Sequence, residues 1–380
     1  VIASTDWISA ARLIPVLSHA GCSVSIVAPK RSALHQTGGI DHAVVCGDSI
    51  EDTVDAALNL IDNAQTPFDY IQIADDPLLW YLTDHRDEER FRRILPFDPT
   101  TDVGEIITNK HSFTDRLSGG DFKVVPGRGA ANNQEAIDAA DQLGYPVILK
   151  PSRGSGGNLV VMHESGEKLR AYLKEIPIVE PYVVQRFVKG RVALVEALLD
   201  HGRPCCWTVS YKTKTLRDAF GGSSAREMFT VSDIEEQLCL FGEATGLHGF
   251  FGLDFIHEQG TGDIYFIEVN ARQTSGHLFG WCMGADYAKA FAAMLDGRDE
   301  KYPPVEHRLD GLRIRAFPAD VCRAIYSSDA LSLITAPFDP ALWRDIRSQN
   351  MGLFMHGCQV VWRSVKRKVR HILGRFKRKK

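Results

Sequence analysis

The chain has 380 residues, 44% hydrophobic and 24% charged, which reads as globular rather than disordered and leaves room for two or three domains with a buried core. No apolar run reaches the ~18 residues that a bilayer-spanning helix needs. The formal net charge of −4 hides an asymmetry: residues 361–380 hold ten Lys/Arg and no Asp/Glu, leaving 34 Lys/Arg against 48 Asp/Glu in the rest, a net −14. Such an acidic body repels phosphate backbones, so no nucleic acid is expected as a partner.

In chain order, residues 1–100 alternate strands and helices. VIAS reads as the remainder of a buried strand, so the natural N-terminus is expected to lie upstream, and nothing visible resembles a targeting peptide. The helical pattern WISAARLIPVLSHAG follows, stopped by Gly21, then the strand SVSIVAP, the strand HAVVCGD, the helix IEDTVDAALNLIDNA and the strand FDYIQIADD. This βαβ rhythm predicts a parallel sheet covered on both faces. No GxGxxG follows the first strand, so a dinucleotide site is not supported. Asp75 and Asp76 stand before Pro77 and LLWYL, where they cap a helix or line a crevice at the strand ends.

Further on, NKHSFTDRL is helical, and a second helix opens at Asn132 with Glu135 as its capping-box partner and stops at Gly144. The segments YVVQRFVKG, RVALVEALLD, CCWTVSY, FFGLDFIHE and DIYFIEV read as one antiparallel, turn-linked set, with IEEQLCLFGEATG and ADYAKAFAAMLDG as amphipathic helices. The eight cysteines include no CxxC pair, and Cys205 and Cys206 are adjacent. Reduced thiols in a cytoplasmic protein are expected, without zinc.

Three places concentrate chemistry. Lys150 ends the buried strand PVILK beside the loop SRGSGGN, a point charge next to backbone N–H groups that small residues leave open to an anion. Gln185, ahead of Phe187 and Val188, places an amide beside apolar side chains, as reading the edge of a base and sandwiching its ring would need. Asp254 ends FFGLD, and the hairpin over HEQGTG returns Glu268 and Asn270 opposite it. Two carboxylates and an amide oxygen are hard donors of the kind Mg2+ takes when phosphate oxygens complete its shell. Strict alternation along DIYFIEVN puts Ile264, Phe266 and Glu268 on one face, with Asn270 pointing the same way as Glu268. Arg272 then offers a planar fork for a phosphoryl oxygen or a carboxylate.

In this order, Lys110 in NKHSFTDRL, Lys150 with its glycine-rich loop, Gln185 with FVKG, Asp254 and EVNAR resemble the ATP-grasp superfamily, in particular its carbamoyl-phosphate-synthase-like and carboxylate–amine ligase branch. The resemblance covers roughly residues 1–300. It implies an α/β and α+β architecture: a Rossmann-like pre-ATP-grasp domain at 1–100, an ATP-grasp domain at 101–325 whose two α+β subdomains grip ATP, a C-terminal extension at 326–360 and a basic amphipathic tail at 361–380.

The resemblance also implies roles. Lys110 and Lys150 hold ATP phosphates under a loop containing Ser152, Gly154, Ser155, Gly156 and Gly157. Gln185 sits at the adenine with Phe187 and Val188. Asp254, Glu268 and Asn270 hold one or two Mg2+ ions, with Mn2+ as a substitute. Lys150 and Arg272 serve the reacting groups. The implied reaction activates a small-molecule carboxylate as an acyl phosphate and passes it to an amine. The alternatives are a nucleotide-binding protein without catalysis and a ligase or carboxylase with another acceptor.

Two departures stand out: Val192 occupies the place, two residues after Gly190, where the family often has a ribose-binding acid, and the first lysine follows Asn rather than Asp. Lys212, Lys214, Arg217 and Arg226 form a basic, mobile-looking stretch suited to a substrate carboxylate, and Arg313 and Arg315 alternate on a strand that can face the cleft. In the tail, Val361, Trp362, Val365, Val369, Ile372, Leu373 and Phe376 recur at helical spacing among basic residues, a pattern that suits an anionic membrane surface at the inner face of the membrane, the alternative being a disordered, solvated tail.

Overall fold

The computed structural model describes residues 1–157, 159–176, 178, 180–216, 220–302 and 309–377, the last six by backbone alone. Near the N-terminus, β1 (Ser25–Pro29) runs parallel to β2 (His42–Cys46). Ile2 bridges Val27 on one side and Ile73 on the other, both parallel, so four extended segments lie side by side. Helix Ile50–Asp62, capped by the Ser49 side chain on Asp52 N–H, buries Val54, Ala57 and Leu58 against them. The helix expected across residues 7–21 is two pieces, Ile8–Ala11 and Ile14–His19. Pro15 lies at the start of the second piece, where the N–H it lacks would be unpaired anyway.

The middle of the chain forms two antiparallel sheets. In the first, β3 (Gly127–Ala130), β4 (Val147–Pro151), β5 (Val161–His163) and β6 (Tyr182–Arg186) take the order β3-β6-β4-β5. Helices Asn133–Leu143 and Gly166–Glu175 cover one face with Ala136, Ala140, Leu169 and Leu173. In the second, β7 (Gly190–Asp200), β8 (Arg203–Thr215), β9 (Ser223–Met228), β10 (Gly249–Glu258), β11 (Ile264–Asn270) and β12 (Arg313–Arg315) take the order β11-β10-β7-β8-β9-β12. YVVQR therefore belongs to the smaller sheet and not, as expected, to one set with the later strands. The chain changes sheets over Phe187–Lys189. A continuous core joins the N-terminal segments to the larger sheet through Val27, Leu78, Phe122, Phe241, Phe251 and Phe266.

The C-terminal module comprises helices Ala319–Ser327, Ala330–Thr335, Pro340–Ser348 and the 27-residue Met351–Lys377, which runs unbroken past position 361. It is clasped to the N-terminal segments by fully buried Arg12, which ion-pairs with Asp345. Asn350 Nδ2 donates to Thr37 Oγ1 at 2.9 Å. Val361 packs inward with Phe317, Leu342 and Phe354, and Val365 is half-buried. The tail's apolar face thus differs from the expected one, and the side chains of Ile372, Leu373 and Phe376 lie outside the description.

Helix Ile234–Thr245 meets the β7–β8 turn where Gly242 crosses Gly202, and a Cβ on Gly242 would stand 1.8 Å from the Gly202 carbonyl oxygen. Alanine favours helix over glycine by about 1 kcal/mol. The backbone clash outweighs that gain, so Gly242→Ala should lower stability by about 1–3 kcal/mol, read as a lower urea midpoint; an unchanged or raised midpoint would disprove this contact's role.

Candidate functional site

The two sheets face each other across a slot of about 170 Å³, lined along its length by Ile148, Val188, Val192, Ile256 and Ile267 and closed at one end by Lys110, Lys150, Lys212, Asp254 and Glu268. Gln185 and Phe187 also line it, as do Gly154–Gly157. A smaller polar crevice continues past Lys110 and Glu268 to Asn270, Asp76 and Trp80.

The closed end depends on a one-residue irregularity. Asp254 pairs with Glu268 but Phe255 pairs with Phe266, so Ile267 is an extra residue in β11. Such a bulge reverses the alternation beyond it. Phe266 faces the core while Glu268 joins Asp254 on the cleft side, and Ile267 also lines the slot. The expected common face of Ile264, Phe266 and Glu268 is corrected accordingly.

Three ammonium groups surround the two carboxylates. Lys212 Nζ donates to Asp254 Oδ2 at 2.7 Å, Lys110 Nζ lies 3.5 Å from Glu268 Oε2, and Lys150 Nζ lies 4.0 Å from the same oxygen. Lys150 also donates to the Ile267 carbonyl at 3.3 Å. Burial drives the Lys150 ammonium down to about 8, against the attraction of Glu268. Burial raises the Asp254 carboxyl above its ordinary value, more than Lys212 lowers it. Burial also opposes ionisation of Glu268, but Lys110, Lys150 and Lys212 together hold it below the ordinary range.

Lys110 is placed by its helix, Lys110–Leu117, whose N-cap Asn109 accepts from His111 N–H and Ser112 N–H at 2.9 and 3.2 Å. Asn caps as well as Asp does, which explains why NK can replace DK without moving the lysine. Lys110 Nζ also donates to the Gly154 carbonyl at 2.6 Å. In the loop, Gly154, Gly156 and Gly157 have φ of 150°, 68° and 75°, and a Cβ on Gly157 would lie 2.1 Å from the Phe220 carbonyl oxygen. Ser152 is buried and its Oγ has no hydrogen-bond partner. Gln185 Nε2 donates to Thr114 Oγ1 at 3.0 Å.

Asn270 Nδ2 lies 3.4 Å from Asp254 Oδ1, and its Oδ1 accepts from Arg272 at 3.3 Å. Arg272 is held from the N-terminal side by Asp76, with Nε–Oδ1 2.6 Å and Nη2–Oδ2 2.8 Å, and its guanidinium lies 4.7 Å from the Trp7 ring centroid. Asp76 thus lines the crevice. Its neighbour Asp75 takes the capping role, accepting from Leu78 N–H as well as from Ser4 and Thr5 N–H. Most of the Arg272 fork is therefore engaged, leaving Nη1 with a 3.5 Å contact to the Gln273 carbonyl.

The basic stretch is strand rather than loop. Lys212 and Lys214 lie on β8 and Arg226 on β9, and only Lys212 among these three lines the slot. Lys214 donates to Ser332, Arg226 pairs with buried Glu196, and Arg217 lies outside the described residues. Arg313 and Arg315 do not face the cleft: Arg313 pairs with Glu227, and Arg315 with Asp320 and Asp339. The partnership of Lys212 with Asp254 was not foreseen. Its signal is the i, i+2 spacing of Ser210 and Lys212 on a strand that pairs with β7.

Residues 107–276 match the family model of the ATP-grasp domain. The carbamoyl phosphate synthase large chain of Thermotoga petrophila is 25% identical over 208 residues, which are 51% of this chain and 19% of that protein. The chain thus spans about a fifth of the length of this relative. Among solved structures, the L-amino acid ligase from Bacillus licheniformis has a TM-score of 0.58 at 17% identity, covering 82% of this chain and 78% of that one. The biotin carboxylase domain of Hydrogenobacter thermophilus 2-oxoglutarate carboxylase, solved with MgADP, ADP and bicarbonate, has a TM-score of 0.59 at 16% identity, covering 81% and 71%. At such identities these likenesses speak for the fold alone. Residues 107–276 thus carry an ATP-grasp domain, which takes in the slot-lining residues of both sheets, and the solved structures agree with it in fold.

Proposed function

We propose that the protein is an ATP-dependent ligase that activates a carboxylate as an acyl phosphate and joins it to an amine. The observation that carries this is the group of Lys110, Lys150 and Lys212 around Asp254 and Glu268 at the closed end of an apolar slot. The slot walls suit a purine, with Gln185, Phe187 and Val188 at its edge. The surplus of one ammonium over the carboxylates attracts an anion, and Ser152 Oγ and the loop amides of Gly154–Gly157 offer further donors to phosphate.

The donor set fits Mg2+, because Asp254, Glu268 and Asn270 present hard oxygens on adjacent strands. Bound there, the ion would neutralise polyphosphate charge. Asp254 would be free to hold it if Lys212 turned to a phosphate oxygen, and Asn270 would present Oδ1 after rotating its amide. The Hydrogenobacter domain was solved with MgADP, which agrees with this reading.

In the reaction, a carboxylate oxygen attacks the γ-phosphorus and ADP leaves. The amine nitrogen then attacks the acyl carbon, phosphate leaves, and the nitrogen loses its proton. Lys150 stays with the phosphoryl oxygens throughout, and Arg272 reaches them or the acyl phosphate through Nη1 while Asp76 fixes its plane. Positioning and charge neutralisation supply the acceleration. The eight unpaired cysteines suit a reducing, cytoplasmic setting.

ADP release should appear when amino acids and small carboxylates are supplied in pairs, with a product mass equal to the two substrates less water. Lys150→Met and Glu268→Gln should each cut it by about 10²–10³-fold. Nucleotide binding without substrate-dependent release under any pair would support a protein that binds without catalysis, and turnover unchanged in both variants would remove Lys150 and Glu268 from the reaction.

Lys150 must be charged to hold phosphate, so MgADP affinity should fall as pH rises through about 8, by up to about tenfold per pH unit. Lys150→Arg should flatten that limb in calorimetric titrations, and a flat wild-type profile would remove Lys150 from the phosphate site. The sign reverses for stability. Between about 8 and the ordinary 10.5 the unfolded chain binds the proton that the folded chain has lost, so the ligand-free protein gains stability with pH there.

A further inference from the structure

Helix Met351–Lys377 has one face packed on the protein and one without a partner among the described residues. Inward go Leu353, Val361 and Ser364, and Lys368 Nζ is tied to the Tyr326 carbonyl at 2.9 Å. On the opposite face stand Met351, Met355, Trp362 and Val369, with fractional exposures of 73%, 50%, 59% and 48%. At 3.6 residues per turn these four fall within a narrow stripe along the helix. Arg363, Lys366 and Arg370 run beside the stripe, and Lys366 Nζ lies 5.1 Å from the Trp362 ring centroid.

The charge of this helix is not balanced internally. No Asp or Glu occurs in 351–380. Among the described residues, Arg363, Lys366, Arg367 and Arg370 have no carboxylate within ion-pair distance, whereas Arg323 of the same module and Arg315 of β12 each hold two carboxylates. The sequence beyond 371 adds Arg375 and Lys377–Lys380. No described helix is long and apolar enough to cross a membrane. Leu331, Ile334 and Phe338, 72%, 70% and 84% exposed on the adjoining segment, leave further apolar surface uncovered in this module.

We propose that the outer face of helix Met351–Lys377 docks the protein on a bilayer surface rich in anionic lipid. The stripe is too narrow and too interrupted by charge for a protein core. It has the composition of an interfacial helix: aromatic and aliphatic side chains reach the acyl boundary while flanking lysines and arginines stay at the headgroups. The unbalanced positive charge selects anionic headgroups. The inference is independent of the ligase reading, since it concerns a surface remote in sequence from the slot residues and needs no nucleotide.

The test uses the full chain without substrates. Flotation with vesicles of phosphatidylglycerol and phosphatidylcholine is compared with phosphatidylcholine alone, at low and high salt. Binding is expected to the anionic vesicles only and to weaken with salt. Each charge reversed by Lys366→Glu or Arg370→Glu should lower partitioning about fivefold or more. Trp362→Ala should weaken the binding that survives high salt. All three positions are exposed, and unchanged circular dichroism melting confirms that the variants fold.

Absence of flotation, or equal binding to neutral vesicles, would overturn the proposal. So would binding of duplex DNA in place of vesicles, or self-association that masks Trp362 and is abolished by Trp362→Glu.

Discussion

Everything at the slot rests on two carboxylates set side by side, buried Asp254 and half-buried Glu268, which need compensating charge to stay ionised there. The compensation crosses between sheets. Glu268 and Asp254 come from the larger sheet, Lys150 from the smaller one, and Lys110 from the helix that leads into the smaller one. Backbone pairing reinforces the same seam, since Phe266 N–H donates to the Lys123 carbonyl and Val125 N–H to the Phe266 carbonyl. The two sheets are thus held face to face by the groups that the proposed ligand would engage, and an apolar slot is left between them. The bulge at Ile267 makes this possible, because without it Glu268 would point into the phenylalanine core.

The N-terminal segments complete the site rather than merely preceding it. Asp75 gathers the Ser4 and Thr5 amides and caps the helix at Asp76–Asp84, and that helix start carries Asp76 to Arg272. Trp7 lies against the guanidinium from the same side. Through Arg12 and Asp345 the same segments also hold the C-terminal module. Any shift of the N-terminal unit would therefore be felt at the arginine next to the carboxylates and at the base of the basic helix.

The motif residues were legible in the sequence because each breaks its local pattern with polarity, near a strand or helix end for Lys150 and Asn109 and within the strand for Asp254. Lys150 after PVIL, Asp254 after FFGL and Asn109 before a helical run announce themselves in this way. Local geometry of this kind survives folding, as the Asn109 and Asn132 caps show. What could not be read was anything set by register between distant strands. A single extra residue in β11 turned Glu268 over. Pairing between β8 and β9 decided that Lys212 joined Asp254 while Arg226 joined Glu196. Arg313 and Arg315 alternate as expected, but β12 pairs with β9 so that Arg313 sits opposite Glu227, on the face away from the slot. In the tail, helical spacing was plain, yet which face packs depended on Phe317 and Leu342, far away in space from any sequence cue.

The lysines around the carboxylates have a dual consequence for how such a site works. Without ligand, Lys212 occupies Asp254, and Lys110 shares itself between Glu268 and the Gly154 carbonyl, so the cations the site needs for phosphate are already inside and desolvated. On the proposed reading, binding of a polyphosphate with a divalent cation would be an exchange of partners: ammoniums would pass to phosphate oxygens and carboxylates to the metal. Little solvent reorganisation accompanies such an exchange, which is the condition under which fixed charges act most strongly on a developing transition state. The same exchange would release Gly154 from Lys110, so the glycine-rich loop, whose positive φ angles only glycine adopts without strain, would be free to settle on the proposed phosphates. On that reading, loop closure and charge neutralisation would be one event, set by where Lys110 points.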